Sequence, residues 1–79
     1  MLEKISNFVN DKEFRFTIYE NQIHIINYKK IISLEDDKII IQGNQRIINI
    51  KGNNFKLEKL LNEELLCIGQ VQRIELQDA

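Results

Sequence analysis

Cysteine, histidine, proline and glycine are all scarce in this sequence. Its 79 residues include one cysteine, one histidine, three glycines and no proline. Because Cys67 is alone, the chain cannot form an intramolecular disulfide, and Cys67 has no companion for a cysteine-rich zinc site. His24 likewise has no second histidine with which to hold a metal. Ser6 and Ser33 lie in no nucleophile motif, so we expect no metal, no cofactor and no enzymatic activity.

Long apolar runs are also missing. No run approaches the roughly 20 residues that a membrane helix needs, and the N-terminus has no signal-peptide core. A chain without disulfides suits a reducing compartment. We therefore expect a cytoplasmic protein that does not insert directly into a membrane.

A strong charge of one sign is the third absence. Eleven basic and twelve acidic residues give a net charge of −1, so the chain lacks the large positive field of a typical nucleic-acid binder. An RNA-binding β-barrel is the alternative function, and its basic stripe and two stacking rings would be Lys29, Lys30, Lys38, Arg46, Lys51, Lys56 and Lys59 with Tyr28 and Phe55. Acidic residues interleave with that stripe and weaken its field: Glu35, Asp36, Asp37, Glu58, Glu63 and Glu64. The three carboxylates at 35–37 lack the spacing of a calcium loop and predict a solvated turn.

Short isoleucine-rich runs ended by turn-forming residues are what the chain has in abundance. The segment Glu13–Tyr19 alternates apolar and polar residues, which is typical of a half-buried strand. Similar runs recur about every 8–12 residues, and this spacing favours an antiparallel all-β domain. Residues 1–10 have apolar side chains at helical spacing and predict a short amphipathic helix.

Five residues are predicted to form structural turns. Gly43 and Asn44 separate two β runs as a tight hairpin turn, and Gly52 and Asn53 tolerate positive φ after the next run. We predict that Gly52→Val misfolds this turn if φ is positive there. Gly69 is expected to separate or bend the last pair of strands, residues 65–68 and 71–76.

The segment Phe55–Leu61 fits either a strand or a helical turn, and we favour a strand followed by a turn at Asn62-Glu63. The predicted fold is therefore all-β, a small antiparallel sheet or roll with a short N-terminal helix. Residues 1–12 would form that helix and a linker, residues 13–76 a single β domain, and residues 77–79 a frayed C-terminus. The loose recurrence of glycine after apolar runs leaves a small β-solenoid-like stack as the alternative.

From Glu13 to Leu76 the sequence resembles the YabP/YqfC family of sporulation proteins, and it is more similar to the YqfC side. The resemblance is carried by Ile39–Ile41, Ile48–Leu57, Leu60 and Leu66–Glu75. These stretches combine alternating strands with glycines and contain no catalytic motif. The segment before Phe14 is short for the family, which places any function lodged there in doubt.

The resemblance implies a role in endospore formation, in the mother-cell compartment and peripheral to the forespore membrane, beside a membrane-anchored sporulation partner. Size points to a further partner, because a chain this short buries a small core and often gains stability by association. We therefore expect a non-enzymatic structural or adaptor protein that forms homo-oligomers and binds another sporulation protein. Exposed strand edges would offer the backbone pairing for such contacts.

Overall fold

The computed structural model describes residues 13–78, which form one six-stranded antiparallel sheet. The strands are β1 (Arg15–Ile18), β2 (Gln22–Ile26), β3 (Lys30–Leu34), β4 (Lys38–Gln42), β5 (Arg46–Leu61) and β6 (Glu64–Asp78). The all-β antiparallel prediction is confirmed. A solenoid-like stack is not the architecture found, because each strand pair in residues 13–78 is antiparallel. The predicted N-terminal helix and linker, residues 1–12, lie outside the described residues.

The hairpin of β5 and β6 runs through the middle of the sheet. Its strands have 16 and 15 residues, well above the usual strand length of about 5–6. The turn lies at Asn62 and Glu63, where Glu63 has a positive φ of 62°. Residues 55–61 are therefore a strand followed by this turn, as the sequence favours.

The sheet order is β1-β2-β6-β5-β4-β3, so the hairpin carries a second, short hairpin on each side. Strand β2 pairs with the first residues of β6, and β4 pairs with the first residues of β5. We call the two resulting regions half-sheet A (β1, β2, 64–68 of β6 and 56–61 of β5) and half-sheet B (β3, β4, 46–51 of β5 and 73–78 of β6).

Nine buried apolar side chains form one cluster drawn from both half-sheets: Ile23, Ile25, Ile39, Ile41, Ile48, Ile50, Phe55, Leu65 and Cys67. Eight of these nine are fully buried. Strands β2 and β4 contribute two isoleucines each although β6 and β5 lie between them in the sheet. The sheet must therefore fold over on itself, so that the half-sheets cover one core.

The long hairpin bends between the half-sheets. Its pairing register shifts between Lys51 and Gly52 and again between Asn53 and Lys56, which is the mark of β-bulges that bend a strand. Asn54 has a positive φ of 60°, and Gly69 on the facing strand has a φ of 141°. Both strands therefore change direction at the same level.

Phe55 fills the inside of this bend and is 4% exposed. A Cβ atom added to Gly69 would lie 2.5 Å from the Phe55 ring, and one added to Gly52 would lie 2.7 Å from it. The Gly52 position would also bring that Cβ within 1.9 Å of the Gln70 carbonyl oxygen. The two glycines therefore let the strands and the ring approach each other closely.

Three predictions about chain organisation need correction. Gly52 and Asn53 lie inside β5 and do not form a turn, and Gly52 is not among the described residues with positive φ. Residues 65–68 and 71–76 are not a pair of strands, because β6 continues through a bend at Gly69. Residues 77 and 78 do not fray: Gln77 pairs with Ile47 and Asp78 with Arg46, because β5 begins there and supplies backbone partners.

The two half-sheets repeat each other in sequence and topology. Moving 16 residues along the chain converts the β1–β2 hairpin into the β3–β4 hairpin, and buried Ile23 and Ile25 into buried Ile39 and Ile41. The backbone hydrogen bonds follow the same shift: Tyr19 N–H to Gln22 C=O becomes Glu35 N–H to Lys38 C=O, and Gly69 N–H to Asn21 C=O becomes Gly52 N–H to Asp37 C=O. The half-sheets are thus related by an approximate internal two-fold.

Replacing Gly52 should cost stability for a different reason from the one the sequence suggests. In Gly52→Ala the new methyl meets the backbone oxygen of Gln70, which cannot move without breaking the bend, and we expect a loss of about 3 kcal/mol in the free energy of unfolding. Gly43→Ala is the matched control. Its methyl meets the ring of Phe14, a side chain that can turn aside, and about 1 kcal/mol should be lost. Urea denaturation measures both, and equal losses would contradict this account.

Candidate functional site

The five residues predicted to form turns fall into two separate groups. Gly43 and Asn44 lie in the connection between β4 and β5, where the Gly43 N–H donates to the Arg46 carbonyl. Gly52, Asn53 and Gly69 come together at the bend of the long hairpin. All five serve the path of the backbone.

His24 and Cys67 are each accounted for by their surroundings. His24 Nε2 lies 2.7 Å from Glu64 Oε2 on the neighbouring strand, and both side chains are partly exposed. This agrees with the expected partly covered strand histidine. Cys67 is buried in the core. Within residues 13–78, no group of three or more His, Cys, Asp or Glu side chains has the arrangement of a metal site.

The acidic turn between β3 and β4 forms local contacts. Ser33 Oγ donates to Glu35 Oε2 at 2.7 Å, and Lys38 Nζ lies 3.5 Å from the same oxygen. The hydrogen bond from Ser33, followed by the charge of Lys38, lowers the pKa of Glu35. The Glu35 carboxylate is therefore held by its neighbours in the turn.

The basic stripe of the RNA hypothesis loses one of its two rings. Phe55 is buried in the bend, so its face cannot stack on a base. Among the acidic residues that oppose the stripe, Glu75 adds a carboxylate close to Lys51, with Nζ and Oε1 3.7 Å apart. The geometry therefore gives the alternative function no stacking platform.

Two open depressions lie at related positions on the half-sheets. One is lined by Asp37, Lys38, Lys51, Gly52 and Asn53, together with Glu35 and Gln72. The other is lined by Asn21, Gln22, Ile68, Gly69 and Gln70, together with Asn54 and Lys56. The internal shifts of 16 and 17 residues convert the first five into the second five. Both depressions therefore follow from the repeated shape of the bend.

The feature with functional potential is a pair of unpaired strand edges on the long hairpin. In half-sheet A, residues 56–61 of β5 pair with β6 on one side and with no described strand on the other. In half-sheet B, residues 73–78 of β6 pair with β5 and with no described strand beyond. We call these segments the β5 edge and the β6 edge. Each presents backbone N–H and C=O groups that another strand can bind.

Apolar side chains accompany both edges. Residues directly opposite each other in an antiparallel pair share a face, so Leu57 faces the core side with Cys67, and Leu60 does so with Leu65. The core-side partners are buried, whereas Leu57 and Leu60 are 44% and 52% exposed. The core of half-sheet A therefore stops one strand short of its edge.

The β6 edge repeats this arrangement. Ile74 lies opposite buried Ile50, and Leu76 lies opposite buried Ile48. Ile74 and Leu76 are 39% and 48% exposed. The shift of 17 residues relates Leu57 to Ile74, so the same defect in coverage occurs in both half-sheets.

Sequence reasoning missed these four edge residues. Leu57, Leu60, Ile74 and Leu76 read as ordinary core positions, because their exposure depends on which strand lies beside them. The shift of 16 residues between YENQIHI and EDDKIII was the available signal. It indicates two similar hairpins, and two hairpins on one long hairpin leave two outer segments.

No protein family, curated protein or solved structure matches this chain in the comparisons with known proteins. The similarity to the YabP/YqfC family therefore stays a prediction. Residues 13–78 contain no helix with the length and apolar character needed to span a membrane.

Cys67 provides a chemical probe of the core. Burial raises the pKa of the Cys67 thiol to about 11. At pH 8 the folded protein should react with a thiol reagent about a hundredfold more slowly than the unfolded chain, from thiolate content alone. The folded pKa lies above the ordinary value of 9.0, so the free energy of unfolding should fall as pH rises through this interval. Cys67→Ala should lack that component of the fall, and equal labelling rates in buffer and denaturant would contradict burial.

Proposed function

We propose that this protein is a non-enzymatic structural or adaptor protein that acts through protein–protein contacts made by strand edges. The single observation that carries this proposal is the pair of open edges on the long hairpin, each with exposed leucine or isoleucine side chains on its core side. A strand added to such an edge gains main-chain hydrogen bonds and covers the apolar side chains in one step. The partner is therefore a polypeptide in extended conformation.

The size of the core supports association. Nine buried apolar residues in a chain of 79 give a small interior, and chains of this size often gain stability from a partner. Four further apolar side chains lie beside that interior and stay exposed. Covering them would extend the same core across the contact.

The biological setting is proposed from the sequence resemblance. Similarity to the YabP/YqfC family supports a role in endospore formation, on the mother-cell side of the forespore membrane. A membrane-anchored sporulation protein with an extended segment is then the expected partner, alongside further copies of this chain. The mixed surface charge, −1 overall, favours protein over nucleic acid as that partner.

An affinity purification from sporulating cells tests this function. The tagged protein should recover one membrane-anchored sporulation protein from detergent-solubilised membranes. The matched control carries lysine on both edges, Leu57→Lys with Ile74→Lys, and should recover much less of it, because inward-facing charges block strand addition. Bound material is analysed for protein and for RNA. RNA that is lost at moderate salt, or equal recovery by the control, would contradict the proposal.

A further inference from the structure

We propose that the β6 edge binds the β6 edge of a second copy of this chain in antiparallel orientation, with Ile74 of each copy at the two-fold axis. This inference rests on the proposed function and specifies the self-association within it. It names the partner, the edge and the register. The resulting dimer would join two half-sheets B into one continuous sheet.

Three of the four unpaired edges carry features that discourage strand addition. Strand β1 has four residues, and β3 has a register shift between Ile31 and Ser33. The β5 edge has a register shift between Leu57 and Lys59 and carries Lys56 as well. Short strands, bulges and lysines are the devices by which proteins protect sheet edges.

The β6 edge has the longest regular run of the four. From Arg73 to Asp78, six consecutive residues pair with β5 without a register shift. The shift between Lys51 and Gly52 leaves Gln72 as the extra residue at the start of this run. Its polar side chains have both charge signs and include no lysine. This edge is therefore suited to receive a strand, although its counterpart in half-sheet A is not.

Charge selects the register of a symmetric pair. Core-side residues must face core-side residues, so the axis passes through a single residue of the run. An axis at Arg73 or at Glu75 places two like charges opposite each other, which is destabilising. An axis at Ile74 places Arg73 of each copy opposite Glu75 of the other, and each opposite-charge pair contributes about 0.2–1 kcal/mol. An axis at Leu76 forms no such pair and sets Ile74 opposite Asp78.

The side chains concerned are already positioned on one face. Arg73 Nε lies 3.4 Å from Glu75 Oε2 within the chain, and Lys51 Nζ lies 3.7 Å from Glu75 Oε1. Arg73 is 68% exposed and Glu75 36%, so both can reach a second copy. Ile74 lies on the opposite, core-side face, where two copies of its side chain would cover each other. The pair is thus charged on one face and apolar on the other.

Sedimentation of the full chain over a concentration series tests the edge. The unmodified protein should approach twice its chain mass, and Ile74→Lys should weaken dimerisation by about tenfold or more, because it places two lysines at the axis. Leu57→Lys is the matched control, since it puts the same charge at the related position of half-sheet A and should leave dimerisation unchanged. Circular dichroism establishes that both variants are folded.

Each outcome of this experiment has a distinct meaning. A dimer that survives Ile74→Lys but is lost in Leu57→Lys would overturn the choice of the β6 edge while leaving self-association intact. A dimer that survives both would overturn edge pairing between copies. A monomer at every concentration would overturn this inference, whereas the adaptor function would still be decided by the affinity purification.

A pair of charge-reversed variants tests the register. Arg73→Glu alone sets two glutamates against each other across the contact, and Glu75→Arg alone sets two arginines against each other, so each variant should be mostly monomeric. Mixed together they should form a heterodimer, because every cross-strand pair is then of opposite sign. The heterodimer should weaken as salt is raised, since these charges are exposed. Failure of the mixture to associate would overturn the register with Ile74 at the axis.

Discussion

The structure depends on the backbone pairing between β5 and β6, which runs along nearly the whole of both strands. No other pair of strands is continuous between the two half-sheets, so this ladder alone links their hydrogen-bond networks. The β1–β2 and β3–β4 hairpins are short and would be marginal by themselves. They gain stability by adding to the long hairpin and by placing two isoleucines each in the shared core.

The bend in that hairpin sets both the core and its boundary. Phe55 packs between Gly52 and Gly69, and the closeness of the strands there allows the half-sheets to face each other. The same bend leaves half of each long strand on the outside of a half-sheet. Burial of the central isoleucines and exposure of Leu57, Leu60, Ile74 and Leu76 therefore have one geometric cause. A chain of this length has no further strand within residues 13–78 to cover them.

Local sequence patterns predict the strands better than the connections between them. Alternation identifies β1, the isoleucine runs identify β2 and β4, and Asn62-Glu63 marks the hairpin turn. Gly52-Asn53 was misjudged because a bulge and a turn use the same residue types, and only pairing with distant Gln70 distinguishes them. The open edges were missed for a related reason. Exposure at Ile74 depends on an absent neighbour, which no local pattern encodes.

The internal repeat makes the difference between the two edges informative. Both half-sheets share a topology, a glycine at the bend and two exposed core-side apolar residues at the edge. If exposure were only a by-product of the fold, both edges would need the same protection against unwanted strand addition. The β5 edge has such protection, in its register shift and lysines, and the β6 edge does not. That asymmetry between related positions is explained if the β6 edge is covered by a strand from outside the chain.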